Sequence, residues 1–292
     1  MRINEILKRK KTLSFEVFPP NPAISKVSDV LSTIDALQQY KPDFISVTFK
    51  SSGDYSQNTI DLASYVKHHT TAEPLVHLTC GALDTAEVDR LADVLEHEGL
   101  ENVLALRGDR PADYTGDYLK SFQHASELME HLRREHDFCL AGACYPEGHI
   151  ECESLYEDLV NLKIKQDQGA QFFITQVFYD NNYYYRLVRA ARKMGITVPI
   201  IPGIMPLVNA NLFNKIMNMA GATIPFELRI LFDRFREDRK AMFEIGIAYS
   251  VTQILELLAN DADGIHIYTM NNARVAGEIY SRINNVIEKE LR

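Results

Sequence analysis

The chain has 292 residues, 46% of them hydrophobic, and a formal charge of −9 from 31 Lys+Arg against 40 Asp+Glu. That balance suits a globular domain and excludes wholesale nucleic-acid binding, which needs cationic side chains to neutralise phosphate. Four cysteines without a CxxC pair exclude a disulfide scaffold or zinc ribbon, the apolar runs read as too short for a bilayer, and the start MRINEILKRKK lacks a signal core, so no membrane partner and a cytoplasmic home are expected.

Strand-like and helix-like stretches alternate along the chain. The spacing predicts strands at Leu13–Phe18, Phe44–Phe49, Leu75–Cys80, Val103–Arg107, Cys139–Tyr145, Phe172–Tyr179, Val198–Ile204 and Gly264–Met270. They are short, rich in β-branched and aromatic residues, and bounded by Pro, Gly or Asp. Several are almost continuously apolar, as strands buried on both faces should be. Between them, Ala86–Glu98 places Val88, Leu91, Ala92 and Leu95 on one face, with Asp84 at the N-cap position and Gly99 after the last turn. Leu155–Gln168, Tyr183–Met194 and Met242–Ala259 read as helices in the same way.

Eight strands alternating with helices predict an α/β fold of the (β/α)8 TIM-barrel type, as a single catalytic domain over residues 1–292. The long interval before the eighth strand accommodates extra helices at Asn209–Ala220 and Pro225–Phe235 as well as Met242–Ala259. A doubly wound sheet is the alternative, weakened by the absence of GxGxxG and GxxxxGK[ST] loops.

In such a barrel the chemistry lies at the C-terminal ends of the strands. Those ends carry Glu16, Thr48, His77, Thr79, Arg107, Asp109, Tyr145, Glu147, His149, Gln176, His266, Tyr268 and Asn271. Glu16 is flanked by Phe15, Val17 and Phe18. An apolar setting disfavours a carboxylate's charged form and would fit it to donate a proton near neutrality. A Glu paired with Arg or Lys at a barrel end is the plainer alternative. Asp109 follows Gly108, which lets backbone approach a ligand; it could equally be a loop Asp paired with Arg107 or Arg110. Arg107 closes an apolar strand and needs a partner, either a ligand anion or Asp109.

Asp158, Asn161 and Lys165 recur at i, i+3 and i+7 and share one helical face. That face could hold ribose hydroxyls and a phosphate, or simply be solvated. Cys144, His149 and Cys152 match no standard zinc spacing, so no metal site is expected there.

Taken together, LSFEVFPP, FISVTF, HLTC, LALRGD, CYPEGH, DLVNLKIKQDQGA, ITQVFYD, IIPGIMP and HIYTMN resemble, in order and spacing, the bacterial methylenetetrahydrofolate reductases. The resemblance runs from about residue 12 to 285 and is to the short form without a C-terminal regulatory domain. It implies a barrel carrying FAD, reduced by NADH or NADPH, which converts 5,10-methylenetetrahydrofolate to 5-methyltetrahydrofolate by ping-pong hydride transfer. It further implies a homo-oligomer.

By the same resemblance Glu16 is the general acid and Asp109 the aspartate near flavin and pterin; both are expected to be catalytic and to touch the folate. Thr48, His77, Arg107, Gly108, Tyr145, His149, Asp158, Asn161 and Lys165 fall on flavin-contacting positions. Phe49, Ser51, His124, Ala125 and Cys152 join them by a looser alignment. Gln176 and Tyr268 fall on the substrate side. Two positions depart from the family: Ala210 stands where members carry a stacking Phe, with Phe213 one turn on, and Asn272 stands where they carry an Arg. These departures admit an electron-delivering partner protein in place of a nicotinamide. A flavin-free folate-binding methyltransferase barrel is a further alternative.

Overall fold

The computed structural model describes residues 1–21, 25–49, 55–110, 114–219 and 222–291. Its strands are β1 (Thr12–Val17), β2 (Phe44–Val47), β3 (Glu73–Thr79), β4 (Asn102–Leu106), β5 (Cys139–Cys144), β6 (Ala170–Thr175), β7 (Ile200–Ile201), β8 (Gly203–Ile204) and β9 (Gly264–Tyr268). All pair in parallel, in the order β7-β6-β5-β4-β3-β2-β1-β9-β8. Pro202 separates β7 from β8. Having no N–H, it interrupts the ladder. The half before it pairs with β6 and the half after it with β9, which closes the cylinder. The expected (β/α)8 barrel is therefore the fold, with its seventh strand split in two.

The helices are α1 (Ile3–Leu7), α2 (Val27–Gln38), α3 (Tyr55–His69), α4 (Thr85–His97), α5 (Ala125–Glu135), α6 (Leu155–Asp167), α7 (Asn181–Lys193), α8 (Ala210–Met219), α9 (Phe226–Phe235), α10 (Arg239–Ala259) and α11 (Ala273–Leu291). α8 and α9 are the extra helices expected between the seventh and eighth strands. Asp84 caps α4 through a bond from the Glu87 N–H, returned by Glu87 to the Asp84 N–H. Gly99 follows with φ +69°, a conformation that favours glycine.

Two layers of core follow from the two-residue period of the strands. Leu13, Phe15 and Val17 point outward into the layer between strands and helices. Phe44, Leu75, Leu104, Phe172, Ile174 and Ile201 point inward and fill the barrel. The short α1, not anticipated from the sequence, contributes to that interior: Ile3 is fully buried among these residues, and its N–H donates to Asn102 Oδ1 at 2.8 Å.

Contrary to the expectation from apolar runs, α10 is long and apolar enough, by length and composition, to cross a bilayer. Here it lies in the helical layer against α7, α9 and α11, with Met242, Ile247, Ile254, Leu257 and Leu258 buried. Gly246 lets it press against the chain after β8; a Cβ there would stand 2.1 Å from Leu207 O.

Candidate active site

The inward period of β1 carries Ser14 and Glu16 into the barrel mouth, opposite Ser46 of β2 and Tyr268 of β9. This corrects the expected surroundings of Glu16. Phe15 and Val17 belong to the outer face of the strand, so the carboxylate lies among imidazoles rather than against its apolar neighbours. Its Oε2 stands 3.5 Å from His77 Nε2 and 3.9 Å from His266 Nε2, and its side chain is 16% exposed. Among the described residues no Lys or Arg pairs with it. Burial lowers the His77 pKa to about 4, although Glu16 pulls it upward, so His77 is neutral at pH 7. His266 is buried, and its Nδ1 lies 2.8 Å from Ser14 Oγ. Ser14, Glu16, His77 and His266 thus form one buried polar group. Ser14 was missed in the sequence, although its two-residue offset from Glu16 places it on the same inward face.

A cavity of about 300 Å3 opens over this group. Its walls include Glu16, Thr48, His77, Arg107, Gly108, Asp109, Tyr145, His149, Gln176 and Tyr268. Tyr268 donates its phenol proton to Thr175 O at 2.7 Å, and burial raises its pKa far enough to keep it protonated. Gln176 Oε1 accepts from the Val177 N–H at 2.8 Å. Gly108 has φ +84°, and a Cβ there would meet the Tyr118 hydroxyl at 2.9 Å. The Tyr118 hydroxyl itself donates to Asp109 O at 2.9 Å. Asp109 is exposed and, among the described residues, forms no ion pair with Arg107 or Arg110. Arg107 instead grips Glu151 with two bonds of 2.6 and 2.8 Å, a partner the sequence did not suggest.

A second cavity, about 460 Å3, shares Leu106, Arg107, Ala143, Tyr145 and His149 with the first, so the two adjoin. It is lined by His124, Ala125, Cys152, Asp158, Asn161 and Lys165. The polar face of α6 therefore looks into a cleft and is not a freely solvated surface. Lys165 Nζ donates to Ala143 O at 2.9 Å, and burial lowers its pKa. Asp158 Oδ2 accepts from the His149 N–H at 3.2 Å; burial raises its pKa against the pull of Lys165. Asn161 Nδ2 approaches Cys152 Sγ at 3.5 Å.

Not every expected position reaches the cavities. Phe49 packs against the outer core instead of lining either one. Ser51 lies outside the described residues. Glu147 and Asn271, both read as rim groups, hold loops together: Glu147 accepts from the Thr223 N–H at 3.0 Å, and Asn271 bonds the Phe18 N–H and carbonyl at 3.0 and 2.8 Å. Cys144 sits in the outer core while His149 and Cys152 line the cavity, so these three do not converge. Phe213 stacks on Phe232 with ring centres 5.0 Å apart and belongs to the packing of α8 on α9. Ala210 and Asn272 line a separate, larger depression between α8, α10 and α11.

Residues 2–284 match the family model described as methylenetetrahydrofolate reductase. The chain is 34% identical over 265 residues to 5,10-methylenetetrahydrofolate reductase of Escherichia coli (strain K12), an alignment covering 90% of this chain and 88% of that protein. It is 31% identical over 304 residues to methylenetetrahydrofolate reductase (NADH) 1 of Arabidopsis thaliana, covering 99% of this chain and 51% of that protein. The chain thus spans about half the length of the plant relatives it matches. A solved Clostridium thermocellum structure, that of a protein binding two copies of 5-methyl-5,6,7,8-tetrahydrofolic acid, shares the fold with a TM-score of 0.69 at 13% identity, covering 98% of this chain and 99% of that one. On the match along nearly its whole length, and on the identity to the bacterial enzyme, the chain belongs to the methylenetetrahydrofolate reductase family.

Proposed function

We propose that this protein reduces 5,10-methylenetetrahydrofolate to 5-methyltetrahydrofolate, with FAD as cofactor and Glu16 as the proton donor. The observation that carries the reading is a pair of adjoining cavities with a shared wall. One holds the half-buried Glu16 carboxylate, the other the Lys165 ammonium with the polar face of α6. The two cavities lie within the size range of cofactor sites, roughly 300–1,000 Å3.

The donor set fits a flavin dinucleotide. An ammonium has three N–H donors, and the bond to Ala143 O accounts for one from Lys165. Beside it the first turn of α5 opens on the cleft at Ala125, and its N-cap residue His124 makes no side-chain cap. Free helix N–H groups and a cation together favour a phosphate. Asp158 and Asn161 are suited to ribose hydroxyls. On the mouth cavity's wall, His77 Nε2 is buried without a hydrogen-bond partner, which argues for a polar occupant.

The chemistry that FAD supplies when bound is hydride transfer, from NADH or NADPH to the one-carbon unit. The rest falls to the chain's own residues. Glu16 delivers a proton to a folate nitrogen, opening the five-membered ring to the more reactive iminium. Its Oε2 lies close to both His77 and His266, and Ser14 Oγ lies beside His266 Nδ1, so the carboxyl is flanked by a fixed polar cluster. Gln176 and Tyr268 border the same cavity and fix the substrate's orientation, while the exposed Asp109 places a negative charge at its edge.

Glu16→Gln tests the reading. The variant should keep its flavin absorbance and bleach anaerobically with NADH or NADPH as the wild type does. Folate turnover should fall by about 10²–10⁴-fold, the usual weight of a general acid. Loss of nucleotide-driven bleaching with FAD still bound would remove Glu16 from the folate step. A wild type that binds FAD but is bleached by neither nucleotide would shift the electron source to a partner protein. A colourless protein that takes up no added FAD would leave the flavin-free methyltransferase barrel.

A further inference from the structure

On the outer layer, α4 and α5 run back from the mouth side by side. Asp89, Asp93 and Glu96 recur on α4 at i, i+4 and i+7 and so share one face. Facing them are His131 of α5 and His136, the residue that ends α5. His131 Nε2 meets Asp89 Oδ1 at 2.5 Å.

His136 is the unusual member. Its side chain is only 7% exposed, and both ring nitrogens are buried without a hydrogen bond. Nδ1 lies 3.2 Å from Glu96 Oε1, and Nε2 lies 4.0 Å from Asp89 Oδ1. One ligand atom each from Asp93, Glu96 and His136 falls within 4.8 Å of the others. Ligands held roughly 2.0–2.1 Å from a tetrahedral zinc ion stand about 3.3 Å from one another. The spacing of His136 Nδ1 and Glu96 Oε1 already matches that distance, and the exposed Asp93 offers an oxygen within 4.8 Å of both.

We propose that Asp93, Glu96 and His136 form a divalent-cation site of the zinc type, with water as the fourth ligand, which ties α4 to α5. One imidazole nitrogen and two carboxylate oxygens suit Zn2+ or Co2+. Mg2+ and Ca2+ demand more oxygen ligands than this face offers. Binding through Nδ1 leaves the proton on Nε2, 4.0 Å from Asp89 Oδ1, which His131 Nε2 also meets. A carboxylate behind a metal-bound imidazole is the usual way its ring is oriented. Because α5 begins at Ala125 on the wall of the larger cavity, the ion would brace the far end of a helix that frames it. The site is independent of the reductase reading. Its rival is an ion-free imidazolium clamped between Glu96 and Asp89.

The test is titration of the chelator-stripped, full-length protein with ZnCl2 alone, followed by calorimetry, and with CoCl2, followed by visible absorbance. Expected are one saturable equivalent, a tetrahedral Co2+ spectrum and a rise in Tm. Asp93→Asn, an exposed change that spares the core, should weaken binding at least tenfold, and Glu96→Gln likewise. Cys152→Ser, which removes a thiol lining the cleft, should leave Zn2+ affinity unchanged. The proposal is overturned if the wild type shows no saturable binding, as the imidazolium clamp predicts. It is equally overturned if Asp93→Asn binds as tightly as the wild type, or if Cys152→Ser alone abolishes binding.

Discussion

His77 offers a quantitative handle on the barrel mouth. It is buried beside Glu16, and desolvation brings its pKa from 6.5 in the unfolded chain to about 4 in the fold. A histidine whose folded pKa is depressed contributes stability that is complete above the unfolded value and lost as pH falls toward the folded one. Each pH unit in that window costs about 1.36 kcal/mol, so the loss between pH 6.5 and 4 approaches about 3 kcal/mol. His77→Gln removes this proton uptake while keeping a polar group at the site. Urea unfolding of both proteins at pH 7, 5.5 and 4 reads the residue with its immediate neighbours, because remote titrating groups cancel in the difference. The gap in stability between wild type and variant should shift by about 3 kcal/mol in favour of the variant from pH 7 to pH 4. A gap that stays constant over that range would refute a neutral, desolvated His77.

Three further outcomes are expected. Asp109→Asn should retain FAD and its reduction but slow the folate step, seen as a lower single-turnover rate of flavin reoxidation by methylenetetrahydrofolate; loss of FAD instead would make the residue structural. Lys165→Met should weaken FAD binding by on the order of ten- to a hundredfold, the weight of one charge-assisted hydrogen bond, measured by flavin fluorescence titration. Gly246→Ala gains about 1 kcal/mol of helix propensity but drives a Cβ into Leu207 O at a cost of about 1–3 kcal/mol, so urea unfolding should show a net loss of up to about 2 kcal/mol.

The barrel was legible because its strands announce themselves by composition and helices such as α4, α6, α7 and α10 by their period. The end signals held too, as Asp84 and Gly99 illustrate. Less legible were features set by strand facing and by distant pairing. The sequence shows Glu16 between Phe15 and Val17, but alternation sends those two neighbours to the other side of the strand. Arg107 meets Glu151, forty-four positions away, and no local pattern encodes such a partner. α1 escaped notice because five residues are too few for a period to emerge. Its evidence is the burial of Ile3 inside the barrel.

The interruption at Pro202 has a mechanical consequence. β7 and β8 each contribute only two paired residues, so the cylinder is most weakly stitched along one line. Thr175 acts as a rivet across that seam: its hydroxyl accepts the Gly203 N–H at 2.9 Å, and its carbonyl accepts the Tyr268 phenol. Tyr268 therefore has two duties, bordering the mouth cavity and fastening the wall behind it. A kinetic defect in Tyr268→Phe would report how firmly the barrel is held shut as much as any contact with a ligand. Hydrogen exchange at Gly203 would separate the two, because only loosening of the seam would speed it.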